Sequence, residues 1–124
     1  MRRTTYHLFR LTKPQIVSAN GRDHWAKKAR RVAALRERGR IDGRGREPLT
    51  PPVRLTIAIG WPDARQRDAE NLAPTVKALI DGLVTDAGLL PDDSDKHIVE
   101  RIWRSSVTRA GCTEITLTFE EVEP

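Results

Sequence analysis

The sequence is short of the features that cross-link or anchor a chain. Its one cysteine, Cys112, cannot form an internal disulfide, so nothing calls for an oxidising compartment. No stretch approaches the roughly 18 consecutive apolar residues of a membrane span, and the basic start MRRTTYHLFRLTKP lacks the apolar run of a secretory signal. The expectation is a cytoplasmic protein with no membrane partner. At 124 residues, 38% hydrophobic and 31% charged, the chain suits one domain over 1–124 with a modest core. Acidic residues are scarce at the start: residues 1–46 carry 14 Lys and Arg against 3 Asp and Glu, whereas 47–124 carry 8 against 14. A basic N-terminal part suits a polyanion such as nucleic acid, and an acidic part suits a metal ion held between protein and phosphate. The same split also describes a solvated, salt-tolerant surface, and charge alone does not decide.

Patterning predicts the order β-α-β-α-β-β, an α+β fold with a mixed sheet and two main helices. TTYHLFRLT reads as a first strand in which Tyr6 and Leu8 alternate with polar neighbours, with Phe9 as a further apolar candidate. After the turn residues SANGRD, with Asn20 and Asp23 as candidate N-caps, HWAKKARRVAALRER reads as a helix. Trp25, Ala29 and Val32 fall on its packing side, and Lys27, Arg30, Arg31 and Arg38 on its cationic side. GRIDGRGREPLTPP, around 39–52, is predicted to be a mobile basic loop. Its glycines do not follow a strand, so it is not a phosphate-binding loop. Val53, Leu55, Ile57 and Ile59 alternate as in a half-buried strand. Leu72, Val76, Leu79, Ile80 and Leu83 keep helical spacing, with Asn71 as N-cap and Pro74 in the first turn, where a missing N–H costs nothing. HIVERIWR and TEITLTFEE are predicted to form a hairpin turning near TRAGC.

The stretch RDAENLAPTVKALIDGLVTDAGLLPDDSD, residues 67–95, holds seven of the chain's 17 Asp and Glu. Asp68 and Glu70, two apart in an extended segment, project to one side and repel each other. A divalent cation between their oxygens relieves that repulsion, and Mg²⁺ accepts one or two carboxylates together with waters and substrate phosphate. Asp92 and Asp93 form a second pair after GLLP, although PDD is also ordinary turn chemistry. A helical wheel puts Glu70, Lys77 and Asp81 on one polar stripe, where Lys77 and Asp81 also read as a simple exposed i,i+4 pair. Together these groups suit phosphodiester chemistry, with metal to activate water and lysine to offset charge gathering on phosphoryl oxygens.

RDAENL, VKALIDGL and GLLPDD resemble, in that order, the hallmark of the RusA-type Holliday-junction resolvases: an Arg-rich approach to Asp-x-Asp-Asn, a lysine, Asp-x-Leu, and Asp-Asp in a loop. Ser18, Ala19 and Asn20 before a basic helix extend the likeness. The resemblance implies a small homodimeric, Mg²⁺-dependent endonuclease, with Mn²⁺ as a substitute ion, that nicks four-way DNA junctions. It implies Asp68, Glu70, Asp92 and Asp93 as metal ligands, and Asp68, Glu70, Lys77 and Asp93 as catalytic. Lys27, Lys28, Arg30, Arg31 and Arg38, with Arg65 and Arg67 of the Arg-rich approach, would bind DNA in a bacterial or phage-infected cell. Two departures are visible: Glu70 stands where the pattern has aspartate, and Ala73–Thr75 are inserted before Lys77.

The remaining candidates read as structural. His7, His24 and His97 lack metal-ligand spacing, Cys112 reads as a small core residue, and Trp61 and Trp103 read as core or interface residues. Trp25 reads as core, with stacking on an unpaired base as its alternative. Two other functions remain open on this reading, a non-catalytic branched-DNA-binding protein and a metal-dependent hydrolase of small phosphate esters. Salt-sensitive binding without Mg²⁺-dependent cleavage marks the first, and turnover of nucleotides without duplex marks the second.

Overall fold

Strand β2, Val53–Trp61, runs through the middle of the protein. Its alternation places Val53, Leu55, Ile57 and Ile59 on one face, each at most 1% exposed. The computed structural model describes residues 1–22 and 24–124. In it, β1 (Thr4–Leu11), β2, β3 (Ile98–Val107) and β4 (Thr113–Glu121) form one mixed sheet in the order β1-β4-β2-β3. β4 is antiparallel to both neighbours, setting Leu117 opposite Ile57 and Ile115 opposite Phe9. β3 runs parallel to β2, with Trp103 opposite Ile57. A parallel pair needs a crossover, and the helical segment between the two strands supplies it. The predicted hairpin is therefore corrected: β3 and β4 lie on opposite sides of β2 and never pair.

That segment begins with a 3₁₀ turn, Ala69–Leu72, continues as α2, Ala73–Ile80, and ends in a π-helical stretch, Asp81–Asp86. Pro74 sits in the first turn of α2 as expected, but Leu72, not Asn71, is the N-cap, because the 3₁₀ turn has already begun. Leu72, Val76, Leu79 and Leu83 join the strand residues in a single apolar core. β1 presents the opposite alternation to the one expected. His7, Phe9 and Leu11 point inward, while Tyr6 and Leu8 are 67% and 46% exposed on the open face of the sheet.

α1, Trp25–Gly43, is five residues longer at its C-terminal end than the sequence suggested, taking in residues first assigned to the loop at 39–52. Its buried residues are Leu35, Gly39 and Gly43, so Trp25, at 75% exposure, and Ala29 are not core. The helix is capped by the His24 ring, whose Nδ1 accepts from the Ala26 N–H at 3.2 Å. Asn20 does not cap it, and Asp23 lies outside the described residues. The glycines explain the extension. A Cβ on Gly39 would stand 2.2 Å from the Leu79 carbonyl oxygen, and one on Gly82 would stand 1.9 Å from that of Arg36. Backbone meets backbone there, and the helical geometry of α1 is held by packing rather than propensity. No helix among the described residues is long and apolar enough to cross a membrane.

Candidate active site

The crossover delivers the acidic residues to one side of the sheet. Asp68 has extended backbone and caps the 3₁₀ turn, and Glu70 lies inside that turn. They are thus not successive outward positions of one strand, as the sequence pattern suggested. Even so they share a wall: both line a cavity of ≈ 610 Å³ with Arg67, Asn71, Trp103 and Ser105. Both are exposed, and among the described residues neither carboxylate makes a hydrogen bond or ion pair. Two uncommitted carboxylates on one wall are free to accept a cation.

Lys77 and Asp93 line a neighbouring cavity of ≈ 340 Å³ with Ile57, Arg101 and Trp103. The indole of Trp103 belongs to both walls, so the two acidic groups flank a single aromatic side chain. One turn of helix brings Asp81 Oδ1 to 2.9 Å from Lys77 Nζ, and the same ammonium donates to Asp93 Oδ2. Asp93, and after it Asp81, holds Lys77 charged, above the usual lysine range. Of the expected stripe of Glu70, Lys77 and Asp81, the last two meet and Asp93 joins them from another element, whereas Glu70 lies in the 3₁₀ turn and lines the other cavity.

Asp92 takes a different direction from Asp93. Its Oδ1 accepts from the Ser94 N–H at 2.9 Å and stands 2.6 Å from His97 Nδ1. Hydrogen bonds from Ser94 and then His97 hold its carboxyl far below the usual aspartate range. Among the described residues no three His, Cys, Asp or Glu side chains stand close enough to grip one metal ion. The four expected ligands thus stand as one uncommitted pair, Asp68 and Glu70, and two separately engaged residues, Asp92 and Asp93.

The expected DNA-binding side chains divide similarly. Lys27, Arg30, Arg31 and Arg38 line a shallow groove on α1 with Pro14 and Gln15, and Lys28 is exposed beside them. Arg38 is held by the Arg10 carbonyl at 2.9 Å and lies 5.8 Å from the Phe9 ring, while Arg31 reaches the Ile16 carbonyl at 3.4 Å. Arg67 donates to Asp63 Oδ1 at 2.7 Å and covers the Trp61 ring at 5.0 Å; Arg65 is exposed next to it. Arg67 also lines the carboxylate cavity, which joins the basic approach to the acidic wall.

Sequence reasoning missed three residues at this site. Trp103 was read as a core or interface residue, His97 as a structural histidine without metal-ligand spacing, and Arg101 was not considered. Strict period-2 counting along β3 from Ile98 points to Glu100 and Ile102 instead; a register shift between Ile98 and Glu100 moves Arg101 and Trp103 onto the helix-covered side of the sheet, opposite Leu55 and Ile57, and no pattern in the sequence marks that shift.

No family model matches the chain. Crossover junction endodeoxyribonuclease RusA of Escherichia coli (strain K12) is 39% identical to it over 71 residues, 56% of this chain and 54% of that protein. RusA of Shigella sonnei (strain Ss046) and the rusA protein of Enterobacteria phage 82 match with the same identity and coverage. The chain spans about half the length of the curated relatives it matches. Over that stretch it is similar to the RusA crossover junction endodeoxyribonucleases, in agreement with the resemblance carried by RDAENL, VKALIDGL and GLLPDD.

Proposed function

We propose that the protein is a Mg²⁺-dependent endodeoxyribonuclease that resolves four-way DNA junctions as a homodimer in the cytoplasm of a bacterial or phage-infected cell. The observation that carries this reading is the arrangement around Trp103: uncommitted Asp68 and Glu70 on one side, Lys77 and Asp93 on the other. The names of the matched relatives support the substrate class. Asp68 and Glu70 are hard oxygen donors on a solvent-filled wall, which fits an ion that takes one or two carboxylates and keeps several waters; Asp93 would join them. The chemistry such an ion supplies when bound is polarisation of the phosphodiester and a more acidic water.

The chain's own residues set the remainder. Lys77 carries a fixed positive charge at the edge of the site, suited to offset the charge that gathers on phosphoryl oxygens. Arg67, braced on Trp61, and the exposed cations of α1 hold the backbone of the duplex arms, whose binding falls with salt. The Lys28 and Arg30 side chains track phosphates without reading bases.

The test is incubation of the protein with synthetic four-way junctions and with linear duplex, with and without Mg²⁺, and with Asp68→Asn alongside. Mg²⁺-dependent nicking of junctions only, lost in Asp68→Asn while junction binding persists, is the expected result. Salt-sensitive junction binding without cleavage would replace the nuclease by a binding protein, and hydrolysis of nucleotides without duplex would replace it by a small-ester hydrolase. Light scattering of the pure protein tests the dimer.

A further inference from the structure

Asp93 sits on a segment, residues 91–97, that belongs to no helix or strand. A carboxylate on such a loop carries the positional entropy of the loop unless something ties it down. Two side chains from the β3 side do so. Arg101, in β3 opposite Leu55, donates from Nη2 to the backbone carbonyl of Asp93 itself at 2.7 Å. Its Nη1 donates to Asp95 Oδ1 at 2.8 Å and reaches the Ile98 carbonyl at 3.4 Å. His97, just before β3, holds Asp92 through Nδ1 at 2.6 Å, and the His97 and Ile98 N–H groups both donate to the Ser94 carbonyl, at 3.0 and 2.9 Å.

Asp93 is therefore fastened on both sides, through Asp92 before it and through its own carbonyl, and its side chain alone is left to reach Lys77. Arg101 stands in the same cavity as Lys77 and Asp93, yet its donors are committed to the loop. The Arg101–Asp95 ion pair cannot be the reason for this arrangement. The Asp95 side chain is 96% exposed, and a pair of that kind contributes little. The bond to the Asp93 carbonyl is the one that fixes a site residue, and a guanidinium makes it while keeping a second donor on Asp95, which a lysine ammonium cannot match in geometry.

We infer that Arg101 and His97 are positioning residues that set the Asp93 carboxylate, Arg101 through the Asp93 carbonyl and His97 through Asp92. The inference rests on the reading of Asp93 as a site carboxylate. Groups that hold a metal-binding side chain typically change metal affinity by about 10- to 100-fold when removed, because the carboxylate must then be ordered at the moment of binding.

The test uses calorimetric binding of Mn²⁺ to the full chain without DNA, with hydrogen exchange of the 92–97 amides as a second readout. The variants are Arg101→Gln, His97→Ala, His97→Asn and Asp93→Asn. Arg101→Gln and His97→Ala are expected to weaken Mn²⁺ binding about 10-fold or more and to speed exchange in the loop. His97→Asn, whose amide N–H reproduces the Nδ1 donor, is expected to recover most of both. Wild-type Mn²⁺ affinity in Arg101→Gln and His97→Ala, with binding lost in Asp93→Asn, would overturn the positioning role and leave the site standing. Wild-type affinity in Asp93→Asn would overturn the site reading and the inference together. If Arg101→Gln does not fold, the contrast between the two His97 variants decides alone: equal affinities sink the proposal.

Discussion

The ammonium of Lys77 is hydrogen-bonded to the carboxylate of Asp93, and the bond joins α2 to the loop before β3. The insertion of Ala73–Thr75 does not turn this lysine away from the acidic side chains. The insertion falls where the 3₁₀ turn passes into α2, and the helix beyond it keeps the Lys77–Asp81 spacing. Lys77→Ala is expected to lower the junction-cleavage rate by roughly 10²-fold, the scale for removing one electrostatic stabiliser of transition-state charge, with binding little changed. The side chain is 58% exposed, so its ion pairs add little to stability, and the thermal midpoint should barely move. Single-turnover cleavage and a melting curve on the same preparation check both. A rate within a few-fold of wild type would reduce Lys77 to a surface partner of the two aspartates.

The cationic helix gives a second expectation. Lys28 and Arg30 are exposed, and among the described residues neither side chain makes a hydrogen bond or ion pair, whereas Arg38 is tied to β1 through the Arg10 carbonyl. Lys28→Gln with Arg30→Gln should weaken junction and linear duplex binding alike. The slope of log K against log salt should flatten by about 0.9 for each phosphate that the variant no longer neutralises. Arg38→Gln should instead lower the melting temperature, because it leaves a backbone acceptor and the Phe9 ring without their partner. Titrations at several salt concentrations separate the two effects, and an unchanged slope in the double variant would move the DNA off α1.

Folding should also respond to acid through His7. The ring is buried, with Nδ1 2.5 Å from Asp42 Oδ2, Nε2 2.9 Å from Thr5 Oγ1 and the Phe119 ring edge-on. Burial lowers its pKa below the usual histidine value of 6.5, Asp42 offsets part of that effect, and Arg46 adds to it. The folded state therefore resists a proton that the unfolded chain accepts. Stability is full above about pH 6.5, falls as the pH drops through the interval between that value and the lowered folded one, and levels off below it. His7→Gln keeps a hydrogen-bonding side chain for Asp42 but does not titrate. Urea denaturation at pH 7.5 and pH 5 should show a larger acid loss in the wild type than in the variant; equal losses would mean that His7 protonates as readily folded as unfolded.

The core strand and the second helix were legible because their apolar residues repeat with one clear period. Val53 to Ile59 alternate, and Leu72, Val76, Leu79 and Leu83 keep to helical spacing. The acidic residues were legible by type and order. Their grouping was not: Asp92 and Asp93 are identical and adjacent in sequence, and it is the bonds from Ser94 and His97 to the first and from Lys77 and Arg101 to the second that send them in different directions. β1 was misread because a buried histidine occupies a core position, so Tyr6 and Leu8 formed the more apolar alternation. The hairpin failed because strand pairing depends on non-local interactions, and a short connection between β3 and β4 does not oblige them to be neighbours.

The end of α1 failed for the reason that makes it most sensitive to substitution. Gly39 and Gly82 look like helix breakers, yet each removes a side chain where two helical backbones touch. The Arg36 carbonyl oxygen would lie 1.9 Å from a Cβ on Gly82, and the Arg40 backbone nitrogen 2.7 Å from it. Both neighbours are main chain and cannot rotate aside, so Gly82→Ala must push α1 away from the π-helical stretch. That opens the packing around Leu35, Leu79 and Leu83, all buried to 1% exposure or less. An alanine on an ordinary helix face would instead stabilise by up to about 1 kcal/mol. Gly82→Ala is therefore expected to destabilise by about 3 kcal/mol, at the upper end of overpacking costs, and Gly39→Ala, against the Leu79 carbonyl at 2.2 Å, by a similar amount. Gly45, with φ +78° and nothing near its Cβ position, is the control. Its substitution costs only the left-handed backbone, about 1–2 kcal/mol, with no repacking. Urea unfolding of the three variants ranks them, and a Gly82→Ala protein as stable as Gly45→Ala would show that the two helical backbones do not touch.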